Sequence, residues 1–219
     1  MRQRIERACA SAQRSTDDVT LVAVTKFFPA EDVVRLFELG VMHVGESRDQ
    51  EAAAKITGLP SEIWRQLTVH FIGQLQSNKA GHVASYADVV QVDRPKIAAS
   101  LARAAGNRAE LLSVLVQVDL SGIVGRGGVA PEAAAELADE VNRYDDLRLR
   151  GVMAVAPLEV DPTPAFVRLA TLAAVIRTKH PAATWISAGM SADLEQAVHA
   201  GATHLRVGSA ILGSRPMHR

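Results

Sequence analysis

One lysine at the end of an apolar run is well placed for covalent chemistry. Lys26 closes the run Val19 to Thr25, whose continuous aliphatic and β-branched residues predict a buried parallel strand. Pro29 and Glu31 then begin a segment of helical period, so the amine should lie at a strand's carboxyl end, where α/β proteins place their chemistry. Partial burial favours a neutral amine, which attacks carbonyls to form Schiff bases. Lys26 is therefore a candidate Schiff-base lysine, and a lysine that merely reaches water is the alternative.

Two turns of small residues predict phosphate binding. The first runs from Ser187 through Gly189 to Ser191, and the second contains Gly208 and Ser209. Backbone N–H groups at such strand-to-helix turns bind phosphate well, although helix capping by Ser191 also explains part of the first turn. Barrel proteins commonly hold a phosphorylated ligand after their last two strands. The two turns together therefore favour a phosphorylated ligand.

An arginine in the last predicted strand is the second candidate ligand contact. Arg206 alternates with Leu205 and Val207, so its guanidinium should point into the interior or the mouth, where it needs an acceptor. Facing an aromatic ring nitrogen, an arginine would keep that nitrogen unprotonated. Enzymes that stabilise carbanions strongly use a carboxylate there instead. The alternative is a buried salt bridge to Glu46 or Asp119.

Two further segments carry polar or small residues after predicted strands. Gln74, Gln76 and Asn78 offer uncharged hydrogen-bonding groups that suit the orientation of a ligand. The glycine-dense loop Ser121 to Gly128 matches neither the P-loop nor the dinucleotide-binding pattern. A lid over the site and a plain turn are equally good interpretations of that loop.

Eight units of strand and helix must position these groups. The predicted strands are Thr20 to Lys26, His43 to Glu46, His70 to Gly73, Val89 to Val92, Ser113 to Asp119, Arg150 to Val155, Thr184 to Ser187 and His204 to Val207. The predicted helices are Arg2 to Ala12, Glu31 to Leu39, Asp49 to Ile56, Lys79 to Ser85, Pro95 to Ala105, Pro131 to Tyr144, Thr163 to Lys179 and Ser191 to Ala200. This alternation predicts an α/β protein, a (β/α)8 TIM barrel with an additional N-terminal helix, and an open parallel sheet is the main competitor.

The barrel prediction sorts the remaining candidates by the end of the strand on which they lie. His43, His70 and His204 each begin a strand, so we expect structural roles for them on the side opposite the mouth. The expected mouth residues include Lys26, Glu46 with Ser47, Gln74 to Asn78, Asp93, Asp119 to Ser121, Ala156 with Pro157, Ser187 to Ser191 and Gly208 to Ala210.

Composition narrows the classes of function. Twenty-four basic residues balance twenty-four acidic ones, so no broad field favours nucleic acid or an anionic membrane as a partner. The one cysteine, Cys9, suits a reducing compartment, and neither a signal peptide nor a membrane-length apolar segment is visible. We expect one domain over residues 1–219, a cytoplasmic location, a monomer and no metal site.

Several motifs together resemble the pyridoxal 5′-phosphate (PLP) homeostasis protein family. They are Lys26 after its strand, Val44-Gly45-Glu46-Ser47, the HFIGxLQSNK run from His70 to Lys79, Gly151 to Ala154, the SxGMSxDLExA run from Ser187, and Arg206 to Ser209. The resemblance covers nearly the whole chain. Members of this family are similar to the barrel half of alanine racemase standing alone.

The resemblance implies a cofactor and a set of residues that bind it. Lys26 would carry PLP as a Schiff base, and Ser187, Gly208 and Ser209 would hold its phosphate. Arg206 would face the pyridine nitrogen, and the residues near the ring would be Asn78 and Met190.

Two positions depart from the common family pattern. Ser47 stands where similar proteins commonly carry asparagine, so it is left out of the implied site. Arg126 stands at about the place of a lysine in the glycine-dense loop, which puts any lysine-specific role there in doubt.

The resemblance and the missing second base together favour a non-catalytic carrier. Such a protein would bind PLP reversibly, influence vitamin B6 and amino-acid pools, and have PLP-dependent apo-enzymes as recipients. A racemase needs a second acid or base on the opposite face of the ligand, and Tyr86 and Tyr144 are predicted on or beside helices away from the mouth. A weak racemase and a Schiff-base aldolase for a phosphorylated sugar are the alternatives, and the aldolase explains Arg206 less well.

Overall fold

Eight parallel strands close into a barrel in chain order, which confirms the predicted fold. The structure is a computed structural model that describes residues 1–123, 125, 127–157 and 160–214. The strands are β1 (Thr20–Val24), β2 (His43–Glu46), β3 (Thr68–Phe71), β4 (Val89–Val92), β5 (Leu112–Gln117), β6 (Leu147–Met153), β7 (Trp185–Ser187) and β8 (His204–Val207).

Helices surround the barrel and supply the connections between its parallel strands. They are α1 (Arg2–Ser11), α2 (Ala30–Glu38), α3 (Asp49–Thr57), α4 (Ser61–Trp64), α5 (Ala80–Ala84), α6 (Pro95–Ala105), α7 (Ala134–Val141), α8 (Thr163–Lys179), α9 (Leu194–His199) and α10 (Ser209–Leu212). Short 3-10 turns cover Thr16–Asp18, Ser77–Lys79 and Pro131–Ala133. Among the residues described, no helix is both long enough and apolar enough to cross a membrane.

The pleat of β1 sends Lys26 towards the barrel axis. Val22 pairs with Arg206 in β8 and Val24 pairs with Gly45 in β2, so these positions share the inner side of the sheet. Side chains alternate between the two faces of a strand, and Lys26 continues the inner series two residues beyond β1. The sequence placed Lys26 inside the strand, whereas β1 ends at Val24 and Lys26 lies in the turn that follows.

The amino-terminal end of the barrel, which we call the base, carries the three histidines predicted there. His43 and His70 share a 3.0 Å contact between Nδ1 and Nε2, and the His204 ring centroid lies 4.1 Å from that of Trp185. Burial lowers the pKa of all three imidazoles, which favours their neutral forms. These side chains therefore fill the base of the barrel, opposite the mouth.

Strand β6 begins three residues earlier than the sequence indicated, and it contains a bulge. The pairing with β5 shifts so that Val114 lies opposite Leu149 but Leu115 lies opposite Gly151, which leaves Arg150 as the extra residue. Gly151 has φ +146°, and a Cβ there would lie 1.9 Å from the carbonyl oxygen of Trp185. Only glycine allows β6 and β7 to approach this closely.

Candidate functional site

A cavity of about 460 Å³ opens at the carboxyl-terminal mouth of the barrel, beside β1, β6 and β8. Its polar lining residues are Lys26, Ser191, Arg206, Ser209 and Ser214. The remaining lining residues are Val24, Phe27, Phe28, Ile72, Met153, Val155, Met190, Ala192, Gly208 and Gly213. An apolar wall with a few polar groups is the usual composition of a small-molecule site.

Lys26 enters this cavity from a constrained turn. The residue after it, Phe27, has φ +72°, which is uncommon for a bulky side chain. The N–H of Phe27 donates to Glu51, and the Arg48 guanidinium lies 4.5 Å from the centre of the Phe27 ring. Lys26 is half-buried, with its Nζ atom 6.0 Å from the same ring centre. The turn thus presents an amine at the edge of an apolar cavity.

Arg206 lies on the inner side of β8 and is 5% exposed. Its guanidinium donates to Ser187 Oγ at 2.7 Å and to the carbonyl oxygen of Ala154 at 2.8 Å. The expected alternative, a salt bridge to Glu46 or Asp119, is therefore wrong for this structure. Burial lowers the pKa of Arg206 to about 10, so the side chain stays charged at neutral pH and brings a cation to the cavity.

Ser187 ends β7 beside Arg206 but does not line the cavity. Its side chain is buried and its hydroxyl accepts the hydrogen bond from Arg206. This contact places Ser187 where it can orient the Arg206 guanidinium. Its implied part in holding a phosphate stays a prediction.

The turn after β7 brings Met190 and Ser191 to the cavity wall. Gly189 has φ +89°, and a Cβ there would lie 2.6 Å from the Cβ of Ala197 in α9. Asp193 accepts a 2.6 Å hydrogen bond from the N–H of Met190, so the helix begins at Leu194 instead of the predicted Ser191. The chain therefore makes a close turn that only glycine allows before the helix starts.

The second small-residue turn lies directly beside the first. Ser209 donates to Ser191 Oγ at 3.2 Å, and the N–H of Ala210 donates to the same oxygen at 3.3 Å. Gly208 packs against β1, because a Cβ there would lie 3.3 Å from Val24 Cβ. Two serine hydroxyls and the backbone of both turns therefore converge at one side of the cavity, and phosphate binding by these turns stays a prediction.

Glu46 and Asn78 are among the expected mouth residues that do not line the cavity. Glu46 is fully buried on the outer side of the barrel sheet, where it forms a 2.7 Å ion pair with Lys55 of α3. Asn78 is exposed in the 3-10 turn Ser77–Lys79 and does not line the cavity. Its implied contact with the ligand ring stays a prediction. Of the seven residues predicted to bind the ligand, the cavity brings together Lys26, Met190, Arg206, Gly208 and Ser209.

Polar residues after β2 and β3 form a separate pocket of about 390 Å³. Its lining includes Ser47, Gln74, Gln76, Lys79 and Arg94. Gln74 and Gln76 of the predicted amide cluster therefore line this pocket and not the main cavity. Arg126 and Val124 of the glycine-dense loop lie outside the described residues, so neither interpretation of that loop is tested.

Sequence reasoning missed the apolar wall of the cavity. Phe27, Phe28, Ile72, Met153 and Val155 all line it, whereas the expected mouth residues after β6 were Ala156 and Pro157. Strand parity carried the signal for part of this wall. Met153 shares the inner side of the sheet with Gly151, and Val155 continues the same series.

Comparison with known proteins places this barrel in a family. Residues 1–216 match the model of the alanine racemase N-terminal domain, which is the class of barrel that the fold and the cavity define. A pyridoxal phosphate homeostasis protein of Mycobacterium tuberculosis is 41% identical over 232 residues, which cover 98% of this chain and 90% of the relative. The chain belongs to the pyridoxal phosphate homeostasis protein family.

Two solved structures share both sequence and fold with this chain. A protein from Bifidobacterium adolescentis is 30% identical with a TM-score of 0.91, and the match covers 96% of this chain and 91% of that chain. PipY of Synechococcus elongatus, solved with PLP bound, is 32% identical with a TM-score of 0.81, and the match covers 95% and 99% of the two chains.

Proposed function

We propose that this protein binds PLP as a reversible Schiff base on Lys26 and serves PLP and amino-acid homeostasis without being an enzyme. The observation that carries the proposal is the convergence of Lys26, Arg206 and Ser209 on one cavity. The PLP in PipY and the names of the curated relatives support the choice of ligand.

The chemistry of the cavity fits PLP group by group. The Lys26 amine is suited to the aldehyde, because its nitrogen can form a C=N bond to the aldehyde carbon while the aldehyde oxygen leaves as water. Addition of water reverses the bond and returns the free aldehyde. The apolar wall, which includes Phe28 and Val155, suits the pyridine ring. The serine-lined turns at Ser191 and Ser209 suit the phosphate.

Arg206 favours holding the cofactor over extensive carbanion chemistry. We propose that its charged guanidinium faces the pyridine nitrogen and leaves that nitrogen unprotonated. PLP enzymes that draw electrons strongly into the ring place a carboxylate there. The hydrogen bonds to Ser187 and Ala154 hold the guanidinium in one orientation, which supports a fixed position for its charge beside the ring nitrogen.

The ionisable groups of the cavity support the carrier role over a racemase. Among its described lining residues, the ionisable side chains are Lys26 and Arg206. Tyr86 is buried behind the sheet near Asp49, and Tyr144 bonds Glu140 on α7. Neither tyrosine lines the cavity, so neither is placed to serve as the second base that two-base racemisation needs.

Other parts of the account stay predictions. These are the transfer of PLP to apo-enzymes, the monomeric state, the cytoplasmic location and the single-domain division of residues 1–219. We also expect the protein to bind neither nucleic acid nor membranes.

An absorbance titration with PLP, combined with an isotope assay, tests the proposal. We expect the wild-type protein to turn yellow with one PLP per chain and K26A to stay colourless. The loaded protein should exchange the α-proton of alanine with solvent deuterium far more slowly than about 1 s⁻¹, a low enzymatic rate. Faster exchange would replace the carrier with a racemase. A colourless wild-type protein that forms its adduct with a sugar phosphate would indicate an aldolase.

A further inference from the structure

A buried cluster of charges lies behind β1, on the outer side of the barrel sheet. Lys55 of α3 forms ion pairs with Glu46 at 2.7 Å and Glu51 at 3.2 Å. The side chains of Lys55 and Glu46 are 5% and 0% exposed, and that of Glu51 is 28% exposed. Buried ion pairs seldom add net stability, because desolvation of the charges opposes their attraction. Stability alone therefore does not account for this cluster.

The cluster bonds the backbone on both sides of Lys26. Lys55 donates to the carbonyl oxygen of Thr25 at 2.8 Å, and the Thr25 hydroxyl donates to Glu46 at 2.6 Å. On the other side of Lys26, the N–H of Phe27 donates to Glu51 at 2.5 Å. Peptide groups before and after the lysine are thus held by charged partners, which form the stronger class of hydrogen bond.

These bonds act where the backbone needs support. Phe27 has φ +72°, a conformation that a bulky residue adopts only when its surroundings impose it. The carboxylate of Glu51 binds the N–H of that same residue, and Lys55 in turn holds the carboxylate. The chain therefore leaves β1 in a fixed direction, and this direction sets where the Lys26 side chain enters the cavity.

We infer that Glu51, Lys55 and Glu46 are positioning residues that aim the Lys26 amine at its ligand. None of these three residues is among the described residues that line the cavity. Their effect on Lys26 therefore passes through the backbone of Thr25 and Phe27. The inference rests on the proposed function of Lys26, and it extends the functional site to the opposite face of the sheet.

Glu51 offers the sharpest test because its partial exposure lets a variant fold. E51A removes the acceptor of the Phe27 N–H, whereas E51Q keeps an oxygen acceptor and loses the charge. E140A is the matched control, since the Glu140 side chain is 26% exposed, accepts from Arg143 and Tyr144, and lies on α7. We expect E51A to weaken PLP binding about tenfold, E51Q about threefold and E140A not measurably.

A second readout needs no cofactor. Limited acetylation of the apo-protein, followed by mass spectrometry, should show that the rate of Lys26 acetylation in E51A differs about threefold from the wild-type rate, because both the access of the reagent to the amine and the neutral fraction of the amine depend on its burial. The exposed Lys179 should react at an unchanged rate, which distinguishes a local change from general unfolding. Restoration of the wild-type rate in E51Q would further support positioning by the acceptor.

The outcomes separate this inference from the proposed function. Wild-type PLP affinity and wild-type Lys26 acetylation in E51A would overturn the positioning role while leaving the Schiff base intact. A wild-type protein that binds no PLP would overturn the proposed function, and the acetylation rates would still decide whether Glu51 positions Lys26. An equal loss of PLP affinity in E140A would assign the effect of E51A to general destabilisation and overturn the inference.

Discussion

The Arg206 guanidinium donates a 2.7 Å hydrogen bond to the hydroxyl of Ser187, and both side chains are buried between β7 and β8. A second bond to the carbonyl oxygen of Ala154 ties the same guanidinium to the end of β6. The charge that lines the cavity is thus oriented by two neighbouring strands. The predicted ligand residues Ser187 and Arg206 form one unit.

Removal of the Ser187 hydroxyl should destabilise the protein. S187A leaves a buried charged donor without one of its acceptors, so the free energy of unfolding should fall by about 1–3 kcal/mol. Urea unfolding measures this change. S85A is a suitable control, because the exposed Ser85 hydroxyl donates only to the carbonyl of His82 and should contribute less than about 0.5 kcal/mol. Equal stability of S187A and S85A would contradict a structural role for the Arg206 bond.

Ser209 should matter only for a phosphorylated ligand. S209A removes a hydroxyl from the paired turns, so we expect an about tenfold loss of affinity for PLP and no change for pyridoxal, which lacks the phosphate. Fluorescence titration with both compounds gives the ratio, and S85A again serves as the control. An equal loss for both ligands would place the phosphate elsewhere in the cavity.

Gly189 should be more sensitive to alanine than a glycine of similar backbone conformation. Gly189 and Gly201 have φ +89° and +95°, but a Cβ meets Ala197 at 2.6 Å only at Gly189, and nothing lies within 4 Å at Gly201. Alanine at a positive φ should lower the free energy of unfolding of both variants by about 1 kcal/mol. G189A should lose about 1–3 kcal/mol more, because its Cβ overpacks against α9. It should also weaken PLP binding, because the turn moves. Equal unfolding midpoints for G189A and G201A would contradict this argument.

Because of the histidines at the base, the free energy of unfolding should decrease as the pH falls. Burial lowers the pKa of His204 to about 3, well below the value of about 6.5 in the unfolded chain. Between these values the unfolded state binds a proton that the folded state does not. This contribution to stability is therefore complete above about pH 6.5 and is lost as the pH falls, by about 1.4 kcal/mol per pH unit.

Replacement of His204 tests that dependence. H204F keeps a ring beside Trp185 and removes the titrating group, so urea unfolding between about pH 6.5 and 5 should show a slope smaller by one proton than in the wild type. His43 and His70 retain part of the dependence, because burial lowers the pKa of each. An unchanged slope in H204F would show that His204 already titrates in the folded state.

The fold could be predicted from the sequence because each β/α unit combines a short apolar run with a segment in which apolar residues recur at helical spacing. The eight strands and their order follow from this alternation, and the inner position of Lys26 follows from the parity of Val22 and Val24. Element ends were less predictable. The end of β1 depends on a positive φ at Phe27, and the bulge in β6 depends on the close approach of Gly151 to Trp185.

Site residues could be predicted where their position depends on neighbouring residues in the sequence. They could not be predicted where their position depends on partners far away in the sequence. Lys26 and the turns at Met190 and Ser209 follow from nearby residues, and the cavity brings them together. Glu46 lies at the end of a strand like Lys26, but its position on the outer face and its pairing with Lys55 depend on how α3 packs. The bond between Ser187 and Arg206 likewise joins residues nineteen positions apart.

Borohydride reduction of the PLP-loaded protein, followed by peptide mapping, tests the central claim most directly. Reduction converts the C=N bond into a stable amine, so the pyridoxyl group should be recovered on the peptide that contains Lys26. K26A treated identically should yield no labelled peptide. Label on another lysine of the wild-type protein, or equal labelling of K26A, would contradict the assignment of Lys26 as the residue that binds PLP.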